Sequence, residues 1–393
     1  MLRLLLFCAK RRAVLDLYCG GIIESSHKRI SGDRRLFCRR VIMYTATVEQ
    51  MAAFDREHDY LKSHLELGKE VIWLTRDQCI ECGPDKDEVL KLVGETMIAH
   101  GRSEYEMPAK IGVHPYEDVF FHAMPAYVPG QNALGIKWIE CFPRNPRQYG
   151  LPQTTGLQVM NDIATGIPVA VMDCTWLTEM RTPAVTALSA AALRPDTEYF
   201  GMYGCGVQGK AHMRYIPRTL SHLKKIYIYD IHEDAVKRAI EEVQPEIDVE
   251  LVPVSAPQEI AEKCETMSSA TIILRDPLCV VKDEWISPGQ TIVPCDMNTY
   301  FDLKTQYRAD KYIVDSIEEH QLFADMGYFP ADKGLPEVYA QTGEILAGDK
   351  PGRESADELI VCSNIGISVN DIAMGHAILH KALETGTGTR LPL

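Results

Sequence analysis

The sequence contains no apolar run of the roughly 18 residues that a transmembrane helix requires. It also lacks a positive charge balance, because 55 acidic residues outnumber 41 lysines and arginines and leave a formal net charge of −14. No basic stripe with interleaved aromatic residues occurs in the body of the chain. We therefore expect neither a membrane nor a nucleic acid as a partner of this protein.

Paired cysteine spacings are also missing, although the chain contains 12 cysteines. Cysteines scattered through apolar runs are typical of free thiols in a reducing compartment, and we predict a cytoplasmic location. One CxxC motif joins Cys79 and Cys82, but neither a second cysteine pair nor a nearby histidine completes a zinc ligand set. We interpret this motif as two free thiols and predict no metal site from the sequence.

Length and charge distribution divide the chain into unequal parts. A chain of 393 residues is long enough for two domains of about 100–200 residues each. Residues 1–42 contain ten lysines and arginines against three acidic residues, whereas the remainder is strongly acidic. We interpret this basic segment as a loosely ordered extension, either a transit peptide or an extended gene start before Met43, and favour the second interpretation.

A glycine-rich motif follows the apolar, strand-like residues 200–203, and a helical pattern begins at Val207. Gly204 permits a tight turn, Gly206 allows the backbone to approach a phosphate, and Gly209 lets the helix lie close to the strand. The free N–H groups at the start of the helix attract an anion. This strand–turn–helix pattern predicts a binding site for the pyrophosphate of a dinucleotide.

An acidic residue indicates which dinucleotide to expect. The next strand-like run, residues 225–229, ends at Asp230. An acid at this point accepts hydrogen bonds from a ribose 2′-hydroxyl and repels a 2′-phosphate, so we predict NAD, with NADP as the alternative. Val207 and Gln208 belong to the same predicted site, together with Thr182, which either caps a helix or contacts the cofactor phosphates.

Two patterns of predicted elements divide the globular part of the chain. Residues 45–178 combine helices with many strand-like runs, whereas a βαβ alternation begins after an Ala-rich helix over 182–193. The strands expected beyond the glycine-rich motif are residues 225–229, 249–254, 270–274, 291–295 and 312–315. Such an alternation predicts a doubly wound parallel sheet in an α/β fold, and a last helix is expected over 369–384.

Polar residues within or just after apolar strands are the candidate catalytic residues. Asp296 follows the strand expected at 291–295, where a carboxylate exchanges protons with an amine or imine, or only caps a turn. Lys137 lies in an otherwise apolar run, so it reaches solvent, clamps a substrate carboxylate or donates a proton. Arg181, at the expected helix start, either binds a carboxylate bidentately or forms a surface ion pair.

Motifs spread from about residue 45 to the C-terminus resemble the ornithine cyclodeaminase/mu-crystallin family. In chain order they are AMPA at 123–126, GIKW at 135–138, Asn145 with GLP at 150–152, DIATGIP at 162–168, MDCTWLT at 172–178, RTPA at 181–184, GCGVQ at 204–208, NIGI at 364–367 and Asn370 with Asp371. Taken together and in this order, the motifs are specific for the family rather than for one member.

The resemblance implies a Rossmann-type, NAD-binding domain and a discontinuous α+β domain that binds substrate and forms a homodimer. We accordingly divide the chain into the extension at 1–42, a substrate-binding and dimerisation domain at 43–178, the Rossmann domain at 179–330 and a return to the first domain at 331–393.

The resemblance also implies roles for single residues. Lys137 and Arg181 match positions that bind the substrate carboxylate, and Asp296 matches the acid/base of cyclodeaminases, an aspartate that mu-crystallins lack. Two positions depart from the cyclodeaminase pattern. Lys110 stands where those enzymes carry an arginine for the carboxylate, and Tyr300 stands where they carry a lysine.

Three functions follow as hypotheses. The first is an NAD-dependent cyclodeaminase that converts a basic L-amino acid, ornithine by default, into a cyclic product such as proline plus ammonia. Here hydride leaves Cα and later returns, so NAD is not consumed. The second is an NAD(P)H-dependent imine reductase or amino-acid dehydrogenase, for which the same residues suffice. The third is a non-catalytic dinucleotide-binding protein of the mu-crystallin type.

Overall fold

The computed structural model describes residues 45–393 and contains two β-sheets. The predicted extension at 1–42 lies outside the described residues. Within residues 45–393, no helix combines the length and the apolar character needed to cross a membrane. The cysteines of this part, Cys79 and Cys82 among them, are free thiols.

The first sheet has seven strands in the order β15-β1-β6-β5-β4-β3-β2. Their bounds are β1 Glu70–Leu74, β2 Ile111–Val113, β3 Phe120–Val128, β4 Ala133–Cys141, β5 Thr154–Asn161, β6 Pro168–Asp173 and β15 Thr389–Pro392. Buried and more exposed residues alternate along β3 and β4, as the period of two in a strand requires. This alternation places Lys137 of β4 on the buried face of the sheet.

The second sheet has eight parallel strands in the order β13-β12-β14-β11-β10-β7-β8-β9. Their bounds are β7 Tyr199–Tyr203, β8 Lys225–Tyr229, β9 Glu250–Pro253, β10 Thr266–Ser269, β11 Thr291–Ile292, β12 Lys311–Val314, β13 Val338–Gln341 and β14 Ile360–Ser363. The chain winds outward from β7 in both directions, so the strand order reverses between β7 and β10. The predicted doubly wound α/β fold is therefore confirmed, and such a reversal is where ligands bind.

Helices connect and cover the strands. They are α1 Val48–His64, α2 Arg76–Glu81, α3 Lys86–Gly101, α4 Asn145–Gln148, α5 Thr175–Leu193, α6 Val207–Tyr215, α7 Glu233–Val243, α8 Pro257–Lys263, α9 Leu303–Tyr307, α10 Ile317–Asp325, α11 Thr342–Leu346 and α12 Ser368–Thr385. The first three begin with capping boxes, in which a threonine or aspartate side chain accepts from the third helical N–H group.

One predicted strand is wrong, and another is shorter than predicted. The apolar residues 270–274 form no strand; the fifth position of the sheet is taken by β10, which consists of threonine, methionine and two serines. All four residues are buried, and their hydroxyls find partners, as Ser268 Oγ does at 2.7 Å from Val293 O. Likewise β11 ends at Ile292, so Asp296 lies four residues beyond the strand.

The last part of the chain contributes to both sheets. Strands β13 and β14 follow residue 330, where we place the domain boundary from the sequence, and both hydrogen-bond in the second sheet. The chain then leaves β14, and α12 packs against β3, β4 and α3. The first turn of α12 thereby reaches the buried face of the first sheet, where Lys137 lies.

Candidate active site

Two of the predicted substrate-binding residues share one buried carboxylate. Lys137 Nζ lies 2.6 Å from Asp371 Oδ2, and Arg181 Nε donates to Asp371 Oδ1 at 2.9 Å. Asp371 belongs to the first turn of α12, and its side chain is fully buried. The side chains of Lys137 and Arg181 are each more than nine tenths buried. Two positive charges against one negative charge leave this buried cluster with a net positive charge.

The charges of the cluster shift the ionisation of its members. Burial lowers the pKa of Lys137 from its usual value to about 8, although the carboxylate of Asp371 opposes this change. Burial would raise the pKa of Asp371, but Arg181 and Lys137 outweigh it and hold that pKa below its usual range. A lysine with a pKa of about 8 can gain and lose a proton near neutral pH.

Arg181 does not lie at a helix start, where the sequence predicted it. Helix α5 begins at Thr175 rather than near residue 182, so Arg181 lies in its second turn and points into the protein. The predicted alternative of a surface ion pair is therefore wrong, because the side chain is only 7% exposed and its partner is the buried Asp371.

Gly366, in the loop between β14 and α12, brings Lys110 close to this cluster. Lys110 Nζ donates to Gly366 O at 3.1 Å and lies 3.8 Å from Glu319 Oε2. The backbone of Gly366 has a φ of +89°, and a Cβ on this residue would lie 2.5 Å from Arg181 Nη1. The three cations predicted to bind a carboxylate, Lys110, Lys137 and Arg181, are thus brought together by two residues, Gly366 and Asp371.

Replacing Gly366 with alanine is expected to destabilise the fold and weaken substrate binding. The left-handed φ costs about 1–2 kcal/mol for a residue with a Cβ, and the new methyl group also displaces Arg181. Gly334→Ala is the matched control, since Gly334 has a φ of +66° but no heavy atom of the described residues within 4 Å of its Cβ position. Denaturant unfolding and KM are the measurements; equal effects of the two substitutions would contradict the contact with Arg181.

A cavity of about 240 Å³ opens beside Lys110. It is lined by Lys110, Ile111, Gly112, His114, His122, Leu322, Phe323 and Met326. Burial and the nearby charge of Lys110 lower the pKa of His122 to about 3, so this imidazole is neutral at physiological pH. The lining is therefore apolar with one lysine and two imidazoles, and it contains no carboxylate side chain.

Asp296 is fully buried and accepts three hydrogen bonds. Ser269 Oγ donates to Oδ1 at 2.5 Å, while the backbone N–H and the hydroxyl of Thr271 donate to Oδ2 at 3.0 and 2.5 Å. Burial raises the pKa of Asp296, although the hydroxyls of Ser269 and Thr271 oppose this rise. A carboxyl group of raised pKa can serve as a general acid as well as a general base.

Tyr300, which departs from the cyclodeaminase pattern, is part of the core beside Asp296. Its ring packs at 5.0 Å from that of Tyr203 in β7. Burial raises the pKa of its hydroxyl, and the charges of Tyr229, Asp230 and Asp296 raise it further. Tyr300 therefore lies close to both acids that the sequence singled out.

The glycine-rich turn has the backbone geometry that the sequence predicts. Gly204 has a φ of +94°, and a Cβ there would lie 2.6 Å from Ala270 O. A Cβ at Gly209 would collide with the carbonyl of Gly204, since helix α6 lies close against the end of β7. At Gly206, by contrast, no atom of residues 45–393 lies within 4 Å of the Cβ position, and no side chain from this part of the protein caps the helix start. The turn thus leaves open space and free N–H groups at one point.

The other predicted cofactor-binding residues surround this turn. Asp230 accepts hydrogen bonds from the N–H groups of Cys205 at 2.8 Å and His232 at 2.9 Å. Gln208 Nε2 donates to Thr178 O at 3.3 Å, whereas its buried Oε1 has no hydrogen-bond partner among residues 45–393. Val207 opens α6 and is largely exposed.

Of the two roles predicted for Thr182, helix capping is wrong. Helix α5 begins at Thr175, so Thr182 lies inside it, and its hydroxyl donates to Thr178 O at 2.8 Å. The same carbonyl accepts from Gln208, which places Thr182 beside the glycine-rich turn. A contact between Thr182 and the cofactor phosphates stays a prediction.

Replacing Asp230 with alanine is expected to relax the choice of NAD over NADP. The lost charge-assisted hydrogen bond is worth about 1.5–3 kcal/mol, so the preference should fall on the order of 10- to 100-fold. Asp234→Ala is the control, because the Asp234 side chain is 81% exposed at the start of α7. Dissociation constants for both nucleotides are the measurement, and an unchanged ratio would exclude a ribose contact.

Several residues of the site were not singled out by the sequence. Asp371 and Gly366 occur in the tail motifs, yet nothing in the local pattern indicates that they contact Lys137 and Arg181. Ser269 and Thr271 follow no recognisable motif and become relevant only because β10 ends beside Asp296. Each of these contacts joins positions that are far apart in the chain.

Comparison with known proteins identifies the family. The model of the ornithine cyclodeaminase/mu-crystallin family matches residues 81–386. The nodulation efficiency protein NfeD of Rhizobium meliloti is 30% identical to this chain over 322 residues, which cover 81% of this chain and 98% of NfeD.

Two solved structures share the fold. The Delta(1)-pyrroline-2-carboxylate reductase of Thermococcus litoralis, in complex with NADH and L-proline, has a TM-score of 0.72 and 27% identity, covering 81% of this chain and 99% of its own. An archaeal alanine dehydrogenase dimer with bound NAD has a TM-score of 0.72 and 27% identity, and the match covers 82% of this chain and 99% of the alanine dehydrogenase chain. The chain thus belongs to the ornithine cyclodeaminase/mu-crystallin family.

Proposed function

We propose that this protein is an NAD-dependent enzyme that oxidises or reduces the Cα–N bond of an α-amino or α-imino acid with a non-basic side chain. The observation that carries this proposal is the buried cluster of Lys137, Arg181 and Asp371 with its net positive charge. A buried net charge is costly unless it is compensated, and a substrate carboxylate supplies the missing negative charge.

The cluster also has donors free for that carboxylate. Arg181 uses Nε for Asp371, and within residues 45–393 its two terminal nitrogens donate no hydrogen bond. A guanidinium with both terminal nitrogens available binds a carboxylate in a bidentate manner. Lys110, held at Gly366 next to these nitrogens, supplies a further positive charge at the same place.

The cavity beside Lys110 supports a non-basic side chain. A substrate such as ornithine carries a distal ammonium, which needs a carboxylate or carbonyl partner when it is buried. Within residues 45–393, Glu319 is the carboxylate that forms an ion pair with Lys110, and no carboxylate side chain lines the cavity. Apolar residues and the neutral imidazole of His122 instead favour a small aliphatic or cyclic side chain, and the positive charge of Lys110 repels an ammonium.

Two buried groups are placed to handle protons. Oxidation of an amino acid removes a hydride from Cα and a proton from the amine, and reduction of an imine reverses both transfers. Lys137, with a pKa of about 8, can give up or take the proton at the substrate nitrogen. Asp296, whose pKa burial raises, is the second candidate for this role.

The glycine-rich turn fits a dinucleotide. The open space at Gly206, the uncapped start of α6 and the unpartnered Gln208 Oε1 all lie at this turn, and Asp230 lies beside it. NAD, when bound there, supplies or accepts the hydride. We also infer a homodimer, since the family resemblance implies a dimer and the similar archaeal alanine dehydrogenase is one. The free cysteines of residues 45–393 favour a cytoplasmic location.

Cyclodeamination of a basic amino acid is the second candidate. It is supported by Asp296, which matches the acid/base position of cyclodeaminases and lies fully buried with two hydroxyl donors. In that reaction the substrate's distal amine would attack the oxidised Cα, ammonia would leave, and the hydride would return. Asp296 would then exchange protons with both nitrogens.

One assay separates the two candidates. Purified protein is given sub-stoichiometric NAD⁺ with alanine, proline, ornithine or lysine, and in reverse NADH with a cyclic imine carboxylate, while ammonia and NADH are followed together. We expect NADH to form from a non-basic substrate, or to be consumed by the imine, in equal amounts with product. Ammonia in large excess over NAD⁺ without net NADH would establish the cyclodeaminase instead. Binding of NAD without turnover of any substrate would overturn both.

A further inference from the structure

Three potential metal ligands meet where the first described helix packs on the last one. Glu57 of α1 faces His376 and His380 of α12, and their nearest ligand atoms all lie within 4.8 Å of one another. Glu57 Oε1 is 3.2 Å from His376 Nε2 and 2.7 Å from His380 Nε2. Both imidazoles therefore contact the same carboxylate oxygen of Glu57, although His376 and His380 lie 319 and 323 positions after Glu57 in the chain.

This cluster, which we call the His–Glu cluster, is separate from the candidate active site. His376 follows Asp371 by five residues on α12, which places it about 7.5 Å along the helix axis and about 140° around it. Asp371 contacts Lys137 and Arg181, whereas His376 and His380 face α1. The proposed redox reaction gives no role to these residues.

The spacing of the two histidines is that of a helical metal-binding pair. Residues four apart lie on the same face of a helix, so His376 and His380 present their rings side by side, with ring centroids 4.3 Å apart. Ligand atoms about 2.0–2.1 Å from a tetrahedral metal lie about 3.3 Å from each other. The observed 3.2 Å already fits this value, and the 2.7 Å contact needs to open by only about half an ångström.

The surroundings hold the ligands in place and leave them accessible. The ring of Tyr60 stacks on that of His380 at 4.5 Å with only 5° between the planes, which restrains the imidazole. Glu57 is 8% exposed, whereas His376 and His380 are 19% and 27% exposed. An ion can therefore enter from solvent, and water can occupy the remaining position.

We propose that Glu57, His376 and His380 bind one divalent transition-metal ion, with Zn²⁺ as the best match to the donor set. Two imidazole nitrogens and one carboxylate oxygen are ligands that Zn²⁺ takes in tetrahedral sites, whereas Ca²⁺ and Mg²⁺ need six or more oxygen ligands. The ion would join α1 to α12, two helices from opposite ends of the described chain. This site does not depend on the proposed enzymatic function.

The test measures metal binding directly on the full-length, tag-free protein after treatment with a chelator. Titration with Zn²⁺ against a competing indicator should show one site per chain, and Zn²⁺ should raise the melting temperature. His376→Ala, His380→Ala and Glu57→Gln should each weaken this binding by at least about 100-fold, since loss of even an outer-shell partner costs about 10- to 100-fold. Ca²⁺ should not compete.

Two controls make the result decisive. His222→Ala removes an exposed histidine outside the cluster and should leave Zn²⁺ affinity unchanged. Co²⁺ substitution should give a spectrum without the thiolate charge-transfer band that a cysteine site would produce. Failure to bind Zn²⁺, a cysteine spectrum, or Zn²⁺ affinity in the His376, His380 and Glu57 variants that is unchanged from that of the parent protein would overturn the proposal and leave a hydrogen-bonded cluster without a metal.

Discussion

Replacing Asp371 with asparagine is expected to destabilise the fold by about 3–5 kcal/mol, the cost of removing one partner from a buried ion pair. The carboxylate of Asp371 is the hydrogen-bond partner of both Lys137 Nζ at 2.6 Å and Arg181 Nε at 2.9 Å. Without it, two cations remain buried beside each other and repel. Denaturant unfolding measures the loss.

Matched variants separate this effect from a general sensitivity to substitution. Asp357→Asn makes the same chemical change at an exposed position, where the carboxylate forms no hydrogen bond or ion pair within residues 45–393, so it should stay within about 0.5 kcal/mol of the parent. Lys137→Met combined with Asp371→Asn should recover part of the loss, because only Arg181 then stays unpaired. An Asp371→Asn variant as stable as Asp357→Asn would contradict the buried cluster.

Asp371→Asn should also shift the pH dependence of the reaction rate, which a loss of stability alone would not do. Asp371 opposes the burial that lowers the pKa of Lys137, so its removal should lower that pKa further below about 8. If Lys137 is the proton donor in imine reduction, the rate falls as pH rises through this pKa. We therefore expect this limb of the pH profile to move to lower pH in the folded fraction of the variant.

Replacing Asp296 with asparagine is expected to reduce turnover by about 10²–10⁴-fold, the usual contribution of a general acid or base. NAD affinity should stay nearly unchanged, because the dinucleotide is expected at the glycine-rich turn and not at this carboxylate. The amide also places an NH₂ group opposite one of the donors Ser269 and Thr271, which costs about 1–3 kcal/mol of stability. Single-turnover rates and NAD titration measure the two effects.

Two further variants separate a catalytic role from a structural one. Asp283→Asn changes a partly buried carboxylate that accepts from Thr305 and Arg308, so it should cost stability without affecting turnover. Ser269→Ala removes a hydrogen bond that lowers the pKa of Asp296, and the limb of the pH profile that reports this carboxyl should move to higher pH. Full activity of Asp296→Asn would remove Asp296 from the mechanism.

The glycine-rich turn could be predicted because its requirements are local. A left-handed φ at Gly204 and the close contact of Gly209 with the end of β7 involve residues within six positions of each other. The βαβ alternation that predicted a parallel sheet is local in the same sense. The prediction of a strand at 270–274 was wrong because strand formation here depends on distant parts of the chain. β10 is a central strand that pairs with β7 and β11, and this pairing does not require apolar side chains.

The sequence by itself determined the fold class and the position of the glycine-rich turn, and it singled out three cations and one acid as candidate site residues. It predicted that Lys137, in an apolar strand, either finds an anionic partner or reaches solvent, but only the tertiary structure decided that it pairs with Asp371, 234 positions away. The same holds for Gly366 beside Arg181 and for Glu57 between His376 and His380. Backbone geometry and periodicity depend on neighbours in the chain, whereas the pairing of buried charges depends on which elements the fold packs together.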